Sequence, residues 1–167
     1  MDAIGWLLEQ GGPVVRYRTA VELAGDERYG LDVEALKQDL LQNSTVRRWL
    51  GNLHSYEEMV ERRKRGEGLG AGGRSSFMHG ATDMNLEVVL PKLGQLGLRA
   101  GMPALDERAA SWRRLLAAEV GEDYDALYPH KDDFLRRVYA YYDRQLIVAT
   151  SLVLAGYRDP AVARVFA

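Results

Sequence analysis

The chain has no cysteine in 167 residues, which removes disulfides, thiolate metal sites and a cysteine nucleophile from consideration. It also lacks any apolar run near the roughly 20 residues of a membrane-spanning helix. The nearest, 146–155, is about half that length and is broken by Thr150 and Ser151. The first residues, Met1-Asp2-Ala3-Ile4-Gly5-Trp6, carry no basic leader ahead of a long apolar stretch, so a cytoplasmic setting with no membrane partner is expected. Neither sign of charge dominates. With 22 basic and 24 acidic residues the net charge is −2, and no electrostatic footprint for nucleic acid is expected. The exception is Arg62-Arg63-Lys64-Arg65, but Glu57, Glu58, Glu61 and Glu67 stand beside it, and a solvated helix end accounts for the run. Strand patterns are missing too, since runs such as Val88-Val89-Leu90 fall inside helical stripes and no hairpin signal separates alternating segments.

What remains is ordinary globular composition, 47% hydrophobic and 28% charged, arranged with helical periodicity. Ile4, Leu7 and Leu8 share a face of a first helix over 3–10, which Gly11-Gly12 ends. Pro13 opens a second, since its missing N–H would be unpaired in the first turn anyway. Helices are predicted over 33–41 and 45–53, the latter capped by Ser44, and over 56–64, where Ser55 and Glu58 have the spacing of a capping box. Short connections imply antiparallel neighbours. Residues 66–76, with Gly66, Gly68, Gly70, Gly72 and Gly73, are too glycine-dense for a regular element and read as a mobile loop between two helical blocks. Beyond it, Leu86, Val89, Leu90, Leu93 and Leu96 mark a helix over 83–96 that Pro91 should kink or divide. Asp106 is expected to cap a helix reaching 118, and the longest helix should run over 131–155 with its second half deeply buried. The expected fold is all-α, a single domain over 1–167 of antiparallel helix pairs, forming part of an α/α toroid or a short solenoid. Gly12-Pro13-Val14-Val15-Arg16 and Asp159-Pro160-Ala161-Val162-Ala163-Arg164 echo one another, as helix starts do in helix-pair repeats.

Three stretches carry a family likeness: Ile4-Gly5-Trp6-Leu7-Leu8-Glu9 with Pro13-Val14-Val15-Arg16-Tyr17-Arg18, then Phe77-Met78-His79-Gly80-Ala81-Thr82-Asp83 leading into Val88-Val89-Leu90-Pro91-Lys92-Leu93, and Leu154-Ala155-Gly156-Tyr157-Arg158-Asp159-Pro160. In these the chain resembles bacterial squalene-cyclase-like or prenyltransferase-like proteins, and it looks like an N-terminal part or a shortened member of that pattern. The resemblance implies an α/α-toroid core and a hydrophobic isoprenoid or polycyclic ligand. It departs in its chemistry. An Asp-x-Asp-Asp acid motif is missing, Asp132-Asp133 lacking the first aspartate, and the cysteine ligand of a zinc prenyltransferase is absent.

Candidate site residues follow from local chemistry. His79 and Asp83, four apart, would form an acid/base pair if the turn between them is helical, a carboxylate fixing the imidazole tautomer as a general base requires. The alternative is that Asp83 only caps the following helix. Tyr128, His130 and Tyr142, from a Tyr/His-rich stretch that also holds Tyr124 and Tyr139, either fill a core or hold a ligand at a cavity mouth. Arg74 joins them as a ligand-binding candidate on the glycine-rich loop. That loop formally satisfies G-x-G-x-x-G at Gly68, Gly70 and Gly73, yet no strand precedes it, so a lid is the reading it permits. His54, His79 and His130 lack metal-ligand spacing, and no nucleophile elbow surrounds any serine, so no metal or cofactor is expected. The expected function is binding of a hydrophobic isoprenoid or polycyclic metabolite. A cyclase-type or related carbon-skeleton enzyme and a non-catalytic interaction scaffold are the alternatives. A partial toroid should leave the apolar segment 146–165 for a second copy or a partner subunit, with Leu152→Asp as its probe.

Overall fold

In the computed structural model, residues 2–25, 29–67, 79, 82–117 and 146–167 are described. Every regular element among them is helical: α1 (Ala3–Gln10), α2 (Pro13–Thr19) running into a π-helical turn (Ala20–Ala24), α3 (Val33–Gln42), α4 (Ser44–Asn52), α5 (Tyr56–Lys64), α6 (Leu86–Gln95), α7 (Pro103–Ala117), α8 (Ala149–Leu154) and α9 (Pro160–Ala163). Among these residues no helix is long and apolar enough to cross a membrane.

The local signals explain most helix ends. Asp2 Oδ1 accepts the Gly5 amide at 2.8 Å, starting α1, and Oδ2 accepts the Tyr29 hydroxyl at 2.8 Å. At α5 the capping box forms in both directions: Ser55 Oγ accepts the Glu58 amide at 3.1 Å and Glu58 Oε2 accepts the Ser55 amide at 2.8 Å. Elsewhere the structure corrects the expectation. The cap of α4 is Asn43 rather than Ser44, its Oδ1 taking the amides of Thr45 and Val46. Helix α7 begins at Pro103, before Asp106, because proline in the first turn is itself a start signal. Asp106 instead reaches back to the Gly101 amide at 3.1 Å. Nor does Pro91 divide α6. The helix starts only at Leu86, so the proline lies in its second turn and strips a partner from one carbonyl alone, that of Glu87.

The helices stack as neighbours. Helix α6 packs against α4 and α8, and α7 packs against α5 and α9, so α4–α6–α8 and α5–α7–α9 make two rows that meet through α4, α7 and α8. Across the short connections, neighbours in sequence pack on one another, α1 on α2, α2 on α3 and α3 on α4. One apolar cluster runs from Tyr17 to Val162 and joins helices on both sides of the glycine-rich segment. Leu40, Leu90, Leu93, Leu105 and Leu152 in it are wholly buried, each contributing about 1.5–3 kcal/mol of transfer free energy. Trp112, also fully buried, meets Tyr56 edge to face at 5.8 Å and donates its indole N–H to the His54 carbonyl at 2.8 Å.

A repeated corner sets the spacing of the rows. Helix α6 ends at Gly97 (φ 100°) and α8 at Gly156 (φ 94°), both in the left-handed conformation that favours glycine. In each case the next residue is buried and its amide closes the turn, Leu98 onto the Leu93 carbonyl and Tyr157 onto the Leu152 carbonyl, both at 3.0 Å. Then comes an arginine that clips the helix end. Arg99 donates to the carbonyls of Gly94 and Leu98, and Arg158 to those of Val153 and Tyr157. Each corner leads into a helix starting on proline, Pro103 or Pro160, as α2 starts on Pro13. The corners touch, the Ala100 amide bonding the Ala155 carbonyl at 3.0 Å.

Candidate functional site

The segment around His79 is built by Asn85. This buried residue accepts the Thr82 amide and hydroxyl on Oδ1, at 2.8 and 2.7 Å, and its Nδ2 donates to the His79 carbonyl at 3.4 Å. Residues 82–85 are thereby held in a non-helical turn. The expected His79–Asp83 pair depended on a helical turn over 79–83, and residues 82 and 83 are not helical. The carboxylate against the imidazole is that of Glu87, in the first turn of α6, with Oε1 2.8 Å and Oε2 2.9 Å from Nδ1. Asp83 is exposed, and its carbonyl accepts Asn52 Nδ2 at 2.8 Å, tying this turn to α4. A carboxylate on Nδ1 orients the ring as a general base requires, but His79 is 59% exposed, so water competes freely at the ring. Tyr128, His130, Tyr142 and Arg74 lie outside the described residues, as do residues 68–78 of the glycine-rich segment.

Three residues of the basic run, Arg62, Lys64 and Arg65, pair with neighbouring glutamates. Lys64 pairs with Glu61 at 2.8 Å, and Arg62 and Arg65 both pair with Glu67, at 2.9 and 2.8 Å. Those two arginines, Arg65 first, hold the Glu67 carboxyl below its ordinary range. Among the described residues no group of three His, Asp or Glu side chains stands close enough to hold a metal ion.

A shallow, open groove of about 610 Å³ lies between α7 and α9. One wall comes from a single face of α7, Ala110, Arg113, Arg114 and Ala117, at i, i+3, i+4 and i+7. The inward face of the same helix, Leu105, Ala109, Trp112 and Leu116, is buried and fixes its rotation. The other wall is Pro160, Ala161 and Arg164. Alanines at both ends of the α7 stripe leave room that larger side chains would fill. Arg113 is anchored: its Nε donates to Asp159 Oδ2 at 2.8 Å and its guanidinium lies 5.1 Å from the centre of the Tyr157 ring. The Tyr157 hydroxyl donates to Asp106 at 2.7 Å, and burial, then this bond, push its pKa up. Arg114 pairs with Glu57 at 2.9 Å in a pair exposed on both sides. Burial raises the Glu57 pKa, but its own amide and Arg114 outweigh that and leave it lowered. Arg164 is exposed and meets no carboxylate among the described residues.

This groove was not anticipated. Its sequence signal, small-Arg-Arg-small at one-face spacing on α7, stood in view, but only the packing of α9 on α7 makes a concavity of it. No family model, curated protein or solved structure matches the chain.

Proposed function

We propose that the chain is a non-catalytic binding protein built from stacked helix hairpins, a stretch of solenoid or partial toroid that works through its surface grooves in a cytoplasmic setting. The observation that carries this is the repeated corner: two helix–corner–helix units with the same glycine turn, the same arginine clip and the same proline start, α6 packing on α8 and α7 on α9. Hairpins that stack in this way bury their faces on their neighbours and leave extended surfaces along the array for partners.

The reading as a hydrophobic-ligand protein, or as a cyclase-type enzyme, draws on the squalene-cyclase-like resemblance and on Tyr128, His130, Tyr142 and Arg74. The His79–Glu87 pair is the support for it within the described residues, and an imidazole this exposed is a weak start for carbocation or acid chemistry. Thermal-shift measurements with farnesol, geranylgeraniol and squalene, alongside turnover assays by mass spectrometry on farnesyl diphosphate, geranylgeranyl diphosphate and squalene, separate the readings. The binding-protein reading expects no saturable stabilisation and no product. Saturable stabilisation, or turnover that His79→Ala abolishes, would replace it with the ligand or enzyme reading. Self-association belongs to the same proposal, because Leu146, Leu154 and Phe166 expose apolar surface near the C-terminal hairpin. Light scattering at rising concentration should show a dimer that Leu154→Asp dissociates, and a concentration-independent monomer would remove this part.

A further inference from the structure

Resting on the binding-protein reading and naming its partner, we infer that the α7–α9 groove is a docking site for an acidic segment of another protein. The argument is one of charge and room. Among the described residues the lining carries Arg113, Arg114 and Arg164 with one carboxylate, Asp159, and alanine and proline side chains between them, and Glu57, outside the lining, reaches Arg114. Asp159 is committed to Arg113, which also covers Tyr157, so that pair belongs to the fold. The other two guanidiniums are available at little cost. Arg164 has no carboxylate to give up among the described residues, and Arg114 holds Glu57 only in an exposed pair of the kind that contributes almost nothing to stability. A guanidinium presents a planar fork that takes a carboxylate through two parallel hydrogen bonds, and here one fork on α7 and one just past the end of α9 line the same groove. An apolar ligand would leave these charges desolvated and unpaired, whereas a chain bearing carboxylates flanked by small apolar residues matches both parts of the lining.

Fluorescence anisotropy tests this on the whole chain. The probes are a short fluorescein-labelled peptide of glutamate, alanine and leucine and its counterpart with lysine for glutamate. The acidic peptide should bind, more weakly as salt rises, and the lysine peptide should not. Arg114→Glu and Arg164→Glu should each weaken binding about tenfold, and the double variant should turn the preference toward the lysine peptide. Arg47→Glu, on α4 and away from the groove, should leave binding within about twofold. Both groove positions are exposed, so circular dichroism and the melting temperature should stay unchanged. Binding indifferent to both groove substitutions would overturn the site while leaving the binding-protein reading intact. Absence of acidic-peptide binding, or equal binding of the two peptides, would overturn the partner chemistry. Competition by inorganic phosphate at concentrations as low as the peptide's would identify the groove as a small-anion site and overturn it as well. The binding-protein reading itself fails separately, on isoprenoid stabilisation or turnover.

Discussion

At the scale of single residues, much of the polar chemistry serves the ends of helices. Glu22 grips Arg18 through two bonds, Nε to Oε1 at 3.0 Å and NH2 to Oε2 at 2.7 Å, and also meets Arg99 at 3.4 Å. Arg18 in turn donates to the Gln95 carbonyl at 3.1 Å and Arg99 to that of Gly94, so two cations sit at the negative end of α6, with Glu22 holding both. The hydrogen bond from Arg18, then the charges of Arg18 and Arg99, keep the Glu22 pKa below its ordinary 4.5 against an opposing effect of burial. A depressed carboxylate stabilises the fold above its unfolded pKa and loses that contribution as pH falls through the folded value. Glu22→Gln should therefore melt earlier than wild type near neutrality, and the gap should narrow as pH falls through the ordinary carboxylate range and close only below the depressed folded value. A gap that stays constant over the titration would show that Glu22 acts by packing rather than charge. Tyr157 has the opposite sign. Burial and the bond to Asp106 raise its phenol above 10, so its contribution is complete below that value and is lost as pH climbs through the folded pKa. Tyr157→Phe should cost about 1–2 kcal/mol in urea unfolding at neutral pH and make the alkaline decline shallower.

Among the helices, two glycines separate packing from propensity. A Cβ on Gly94 would lie 2.7 Å from the backbone oxygen of Leu154, so α6 and α8 approach as closely as they do because this side chain is missing. Gly51, in α4, has nothing within 4 Å of such an atom. Gly94→Ala should destabilise by about 1–3 kcal/mol through overpacking, although alanine is the better helix former, and Gly51→Ala should stabilise by about 0.5–1 kcal/mol. Equal signs in the two denaturation curves would refute the close-approach account. The contrast also marks what a sequence makes legible. The Ser55–Glu58 box, the proline at the head of α2, the extent of α3 and the stripe of α6 depend on residues within a turn or two, and all were visible beforehand. Gly94 and Gly51 look alike because the difference is Leu154, sixty or more positions from one and packed by tertiary contact. The contact of His79 with Glu87 was not legible for a related reason: the expectation rested on helical spacing across 79–83, while the side chain of Asn85 holds residues 82–85 in another form. Corners such as Gly97-Leu98-Arg99 and Gly156-Tyr157-Arg158 were open to alignment, but their arginine clips become meaningful only once both are seen to bond their own helices.

For the molecule as a whole, the seam between α6 and α8 decides whether the rows hold together. Leu152 was expected to lie on an exposed association face, and the structure corrects this: it is 0% exposed, and Leu154, two residues on, is 56% exposed. On a short helix these positions point some 200° apart, so periodicity gives their opposition but not which of them faces the core. The exposed one is Leu154 because its neighbourhood is the corner, where the chain turns at Gly156 and α6 meets its backbone rather than its side chain. The consequence is a sharp difference between two substitutions of identical chemistry. Leu152→Asp places a carboxylate in the apolar cluster with no partner, at a cost of several kcal/mol against a total stability of about 5–15 kcal/mol, and it should unfold the protein or lower its melting temperature severely. Leu154→Asp changes a side chain that the single chain leaves exposed and, at concentrations low enough for wild type to be monomeric, should melt within about 0.5 kcal/mol of it. Far-UV circular dichroism followed through heating checks both. A Leu152→Asp protein that folds normally would mean that α8 is not part of the core, and the two-row arrangement built on its contact with α6 would fall with it.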